Sequence, residues 1–186
     1  MRVRPIVTAA LGAGLALVIM AAAVRLFMSR PAEDRLRPME RIDIAALSAP
    51  LPRPSFLACP EGYCAASPDL RTPVFAIPWR RLRGDWLRSI SDTPRVVLVD
   101  ETADGRRLFY IQHSRVLRFP DVIAVAFVAL GPEQSGIAVF SRSRYGRSDF
   151  GVNRGRVERW LDRLENTAGS TATRPRRRAA IGDGAG

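Results

Sequence analysis

The sequence predicts an α+β fold, an antiparallel β-sheet covered by two helices and preceded by one N-terminal transmembrane helix. Three observations predict it. An uncharged run from Ile6 to Val24 sits near the start of the chain, two stretches around Trp86 and Trp160 carry apolar residues at three- and four-residue spacing, and between these lie short β-branched runs joined by tight turns. Helices segregated to one face of a consecutive antiparallel run bury that face in two layers.

The chain has 186 residues, room for one domain with appendages, and its 47% hydrophobic content supports a packed core. The formal net charge is +11, and all 29 basic residues are arginine. A positive field gathers polyanions, but much of the excess lies in the N-terminal flank and in Arg174, Arg176, Arg177 and Arg178, so it reads as a solvated surface. Nucleic acid is disfavoured as a partner by the apolar N-terminal segment and by the lack of a base-reading motif.

Ile6–Val24 is just long enough to span a membrane, since a helix needs about 20 apolar residues to cross a hydrocarbon core of about 30 Å. Arg2 and Arg4 precede it and Arg25 follows. Residues 1–28 are therefore read as an uncleaved anchor, the run exceeding the roughly 7–15 residues of a signal-peptide core. The competing reading is a signal peptide cleaved near Ala21-Ala22-Ala23, leaving a soluble periplasmic protein. Long downstream domains translocate largely regardless of flanking arginines. The expectation is a single-pass inner-membrane protein with a periplasmic domain. Residues 29–55, rich in charge and proline, read as a semi-rigid spacer.

The globular domain is expected over 56–168. Its cysteines, Cys59 and Cys64, flank Pro60 and Gly62 and suit a local disulfide in an oxidising compartment. A zinc site needs about four ligands, and the single histidine, His113, lies far along the chain, so no metal and no cofactor are expected. Thr72–Ile77 reads as a short strand. Trp79, Leu82, Trp86, Leu87 and Ile90 share one helical face, and Asp92-Thr93-Pro94 ends that helix. Arg95–Glu101 is a strand by its β-branched content, returning through Asp104-Gly105 into Arg106–Arg115, where Leu108, Tyr110, Gln112 and Ser114 share a face. Phe119-Pro120-Asp121 breaks the pattern. Val122–Leu130 is apolar on both faces and should lie centrally, covered on both sides or beside an apolar cavity. Ile137–Arg144 pairs back, and Val157, Trp160, Leu161 and Leu164 form the last helical stripe, with Asn153 as its N-cap. Residues 169–186 lack periodicity and read as a disordered basic tail.

The passage from Phe140 to Val157 concentrates Ser143, Arg144, Ser148, Asp149, Asn153 and Arg156. One reading is structural: Asp149 accepts backbone amides and pairs with an arginine while Gly146 and Gly151 reverse the chain. The other is a carboxylate or phosphate site built from helix N-terminal amides with Arg144, Arg147 and Arg156.

The pattern Ser143-Arg144, Gly146, Ser148-Asp149, Gly151, Asn153 and Arg156 closely resembles the signature of the bacterial and plastid domain-of-unknown-function family numbered 1499. Ser114-Arg115 with Phe119 and Asp121 resembles that family's other polar strand end, and the resemblance spans roughly Cys59 to Leu164. Phe140 stands where members often carry arginine, and Val122-Ile123 replaces a more acidic stretch. The resemblance implies the family's fold and an envelope location. The expected function is a membrane-anchored, non-catalytic binding or scaffold domain for an anionic ligand, a lipid or a partner protein. Its candidate ligand residues are the six named above with His113 and Asp121, and no catalytic residue is assigned. The alternative is a hydrolase or lyase using His113 with an aspartate.

Overall fold

The structure is a computed structural model that describes residues 18–22, 41–115, 118–146, 148–168 and 172–173. The chain divides into two units, Met1–Glu40 and Arg41–Gly186. In the first, residues 18–22 are helical; the rest of the Ile6–Val24 span, and the spacer up to residue 40, lie outside the described residues. Among the described residues, no helix is long and apolar enough to cross a membrane.

The second unit runs β1 (Ser55–Cys59), β2 (Leu70–Arg71), β3 (Val74–Phe75), α1 (Trp79–Ile90), β4 (Val96–Glu101), β5 (Arg107–His113), β6 (Pro120–Gly131), β7 (Gln134–Ser143), α2 (Val152–Ala168) and β8 (Ala172–Thr173). The sheet order is β2-β1-β7-β6-β5-β4, with β3 on β7 and β8 on β3. Every pairing is antiparallel except β1 with β2. The mixed α+β class is as expected; the strand read over Thr72–Ile77 shortens to Val74–Phe75, β1 and β2 add to those read from sequence, and three further elements differ. Proline 120 opens β6 instead of breaking the pattern, opposite His113, because proline is tolerated as a strand's first residue. Helix α2 begins at Val152, so Asn153 lies within its first turn and is not its cap. Within the presumed tail, Ala172 and Thr173 pair with Phe75 and Val74, whose edge backbone groups need partners.

Alternation along the strands sends two different residue sets to the two faces. Ile123, Val125 and Phe127 of β6, Ile137 and Val139 of β7 and Leu108 and Tyr110 of β5 join one core with Leu82, Trp86 and Ile90 of α1 and Val157, Trp160, Leu161 and Leu164 of α2. Both helices thus cover that face. Trp86 and Trp160 meet edge-on at 5.7 Å between ring centroids and lock α1 to α2.

On the opposite face the strands present Ala124, Ala126, Ala138, Phe140 and Phe109. The small side chains suit a thinner cover, and non-helical chain supplies it: Ile44 is buried there, with Ile42, Leu47, Leu51 and Tyr63 packed around it. Residues 41–54, which composition reads as spacer, therefore belong to the packed unit. They form a strap over this face and not a free tether. Cys59 and Cys64 form the expected disulfide. It pins the chain between β1 and β2 over this second core. The central, doubly covered position expected for Val122–Leu130 is found for Val122–Phe127 of β6, while Ala129 and Leu130 beyond them are exposed.

The Tyr110 hydroxyl accepts the Trp86 indole N–H at 3.2 Å inside the helix-side core. Burial pushes this phenol up to about 12, with the Trp86 hydrogen bond opposing. An unfolded tyrosine titrates near 10, so the folded form keeps a proton that the unfolded chain releases. Stability should be complete below about pH 10 and fall by about 2–3 kcal/mol as pH rises to about 12. Urea midpoints taken across that window test this; a flat profile would show that Tyr110 does not couple to folding.

Candidate functional site

At one end of the helix-facing side the sheet turns from apolar to polar. Register sets Gln112 of β5 opposite Asp121 of β6, and Asp121 opposite Ser143 of β7, while Ser141 lies one same-face position inward opposite Ile123. The first turn of α2 lies over this row. Asn153 and Arg156, three residues apart on a helix, project from the same side.

Arg156 is 3% exposed, and each of its three guanidinium nitrogens donates to a protein acceptor. Its Nε donates to Gln112 Oε1 and its Nη2 to Asp121 Oδ2. Nη1 donates to Ser141 Oγ at 2.6 Å and to Asn153 Oδ1 at 2.8 Å. Burial pulls this arginine down from its ordinary range, and the Asp121 carboxylate opposes the pull. The group stays charged at neutral pH. Taking a charge out of water is costly, and only a partner with complete hydrogen bonding offsets it, which the Asp121 carboxylate and three neutral acceptors provide.

Asn153 continues the network. Its amide nitrogen donates to Asp149 Oδ2 at 2.6 Å, to Ser143 Oγ at 3.1 Å and to the Pro54 carbonyl at 3.5 Å. Its carbonyl accepts the Ser141 hydroxyl at 2.7 Å. The strap, the sheet and α2 are joined through this one buried amide.

The turn entering α2 is shaped by glycine and closed by aspartate. Gly146 and Gly151 have φ of +92° and +78°, conformations that glycine adopts without a Cβ penalty. Asp149 accepts the Gly151 amide at 3.2 Å and the Asn153 amide at 2.8 Å. Burial alone raises the Asp149 carboxyl, but the hydrogen bonds from Asn153 and Gly151 outweigh it and hold it below the ordinary range. Asp149, and not Asn153, supplies the N-terminal capping acceptor, and Asp149→Ala should cost about 1–2 kcal/mol in thermal unfolding. A loss within about 0.3 kcal/mol would assign the cap elsewhere.

The sequence-predicted set thus divides. Asp121, Ser143, Asp149, Asn153 and Arg156 come together. Ser148 is exposed, its hydroxyl accepting the Phe150 amide at 3.2 Å, and Arg144 lies 5.8 Å from the Tyr145 ring centroid. His113 pairs in register with Pro120, on the strand face opposite Gln112 and Asp121, so the strands separate this histidine from Asp121. Arg147 lies outside the described residues. Gln112 and Ser141 belong to the cluster without having been singled out. The arrangement differs from an anion pocket: Asp149 takes the helix N-terminal amides, and Arg156 faces the sheet. Ser141 Oγ, held between Arg156 and Asn153, is fixed by both neighbours. Among the described residues, no group of three or more histidine, cysteine or acidic side chains is placed to hold a metal ion.

Residues 76–164 match the family model described as Protein of unknown function (DUF1499). The family whose signature Ser143–Arg156 resembles is thus the family matched over this segment. The match begins after the disulfide loop and β1, and so is shorter at its N-terminal side than the resemblance read from sequence, while it contains every side chain of the network; the one backbone partner outside it is the Pro54 carbonyl. No curated protein matches the chain. Among solved structures, a START superfamily protein from Mycobacterium smegmatis is similar at 13% identity and a TM-score of 0.33, covering 53% of this chain and 94% of its own.

Proposed function

We propose that this protein is a membrane-tethered envelope protein whose domain is a binding or scaffold module and not a catalyst. The observation that carries the reading is the inward direction of Asp149, Asn153 and Arg156 within the polar signature. Arg156, Asp121, Asn153 and Ser141 are buried and bonded to one another, so the residues best suited to chemistry fasten α2 and the strap to the sheet. What such a module offers a ligand is a rigid surface. The Ile6–Val24 run supplies the tether, with residues 41–54 strapped beneath the sheet and the domain outside the inner membrane, where the Cys59–Cys64 bond persists.

Fractionation of cells expressing the full chain tests this. The protein should stay with the membrane pellet through alkaline carbonate extraction, with a mass that retains residues 1–24, and be digested by protease added to spheroplasts. Release by carbonate with the N-terminus intact would remove the tether. A mature mass starting near Val24 would favour the soluble periplasmic form, and protection in spheroplasts would place the domain on the cytoplasmic side.

A further inference from the structure

The end of the sheet that holds the buried network also carries an exposed rim. Phe150 is 95% exposed and sits at φ +51°, a left-handed conformation that costs a bulky side chain free energy. In the same turn, Tyr145 packs at a tilt against Phe119 from the β5–β6 connection, with ring centroids 5.4 Å apart, and both rings are more than two-fifths exposed. Val152, the first residue of α2, is half exposed. The same two connections also carry Arg115, Arg118 and Arg144, and the first turn of α2 carries Arg154, whose guanidinium lies 5.3 Å from the Phe56 ring centroid. Arg118, like Phe150, has positive φ, at +53°. The acidic residues of this turn and strand end, Asp149 and Asp121, are spent inward on Asn153 and Arg156. The rim is therefore aromatic and cationic.

We infer that this rim is the surface by which the domain lies on an anionic bilayer. Aromatic side chains seat at the headgroup level, and arginines beside them are drawn to acidic headgroups, each strengthening attachment about five-fold. A protein partner would be expected to find a packed apolar patch, whereas here rings are spread between cations, the pattern of interfacial attachment. The inference rests on the membrane-tethered reading and names the surface that reading would use.

The test is hydrogen exchange on the full chain in nanodiscs of phosphatidylcholine alone or with phosphatidylglycerol. Residence of the chain in the phosphatidylcholine discs reports the tether; exchange at the rim reports the docking. Amides of 144–146, 148–152 and 118–119 should be protected only with phosphatidylglycerol, and the protection should vanish at about 1 M salt, where screening acts within ~3 Å. Phe150→Gly should abolish the protection while leaving β6 and β7 exchange unchanged or slower, because glycine relieves the positive φ; a merely structural role for Phe150 would move the core instead. Arg118→Ser should weaken it in the same way. Equal exchange in both discs overturns the inference, and so does protection that follows protein concentration, which would mark self-association. If the chain does not enter discs, the same exchange measured with phosphatidylglycerol vesicles decides the rim on its own, protection supporting it and none overturning it.

Discussion

Arg156→Ala is expected to cost about 3–5 kcal/mol, enough to unfold a domain of ordinary stability. The alanine removes the cation from a site 3% exposed and leaves the Asp121 carboxylate buried without a counter-charge. It also strips a donor from Gln112, Ser141 and Asn153 at once. Asp121→Asn should cost less, because an amide oxygen can still accept from Arg156, although the cation then lacks its anion. Arg156→Lys should resemble the alanine variant more than the wild type, since an ammonium is a compact point charge and cannot fork towards β5, β6 and α2 together. The decisive measurement is a double-mutant cycle in urea. Asp121→Leu with Arg156→Met should be more stable than either single variant, because no lone charge remains buried. If both singles unfold within about 0.5 kcal/mol of the wild type, the network is not what holds α2.

Much of this arrangement was legible in the sequence, for a physical reason. Strand alternation has a period of two, so once Leu108, Tyr110 and Gln112 share a face, the helix-side direction of Gln112 follows. The helical stripes around Trp86 and Trp160 gave both covering helices, and the apolar run after Asp121 gave the central strand. Register was not legible. That Gln112, Asp121 and Ser143 stand in one row depends on where each hairpin closes, and a slip of one residue in any of these strands would turn its member of the row to the other face. Ser141 was passed over because a serine inside an apolar strand carries no signal until Arg156 is known to lie above it.

Residues 41–54 misled for a different reason. Proline and charge make a segment look solvated, yet Ile42, Ile44, Leu47 and Leu51 help to cover a sheet face whose central strands present Ala124, Ala126 and Ala138. The thinness of the β6 alanines was the available clue. Asn153 misled through its residue type: asparagine is a good cap, but Asp149, four residues earlier, reaches the Asn153 amide and releases the asparagine side chain to face the sheet. The same displacement accounts for the exposed rim. With Asp149 turned inward and Gly151 following, the intervening Phe150 has no core to enter and projects outward.

Trp86→Ala should destabilise the domain by about 3–5 kcal/mol, comparable with the loss of Arg156 but by a different mechanism. Trp86 is fully buried, packs edge-on against Trp160, and donates its indole N–H to the Tyr110 hydroxyl. Removing it opens a cavity between α1, α2 and the sheet and leaves a phenol without its donor in a place where water is excluded. Trp86→Phe separates the two effects, because it keeps most of the volume and loses only the hydrogen bond and part of the ring contact. It should cost about 1–2 kcal/mol. Trp160→Ala alone should approach the cost of Trp86→Ala, and the two alanines together should fall short of additivity by about 0.5–1.5 kcal/mol, the worth of an edge-to-face pair beyond its area. Strict additivity would mean that the helices are fixed to the sheet separately and not to each other. Because the network at Arg156 anchors only the first turn of α2, while Trp160 sits further along the same helix, hydrogen exchange can tell the two lesions apart. Trp86→Ala should loosen α1 and the later turns of α2 and spare Asn153, whereas Arg156→Ala should free the first turn and the strap at Pro54.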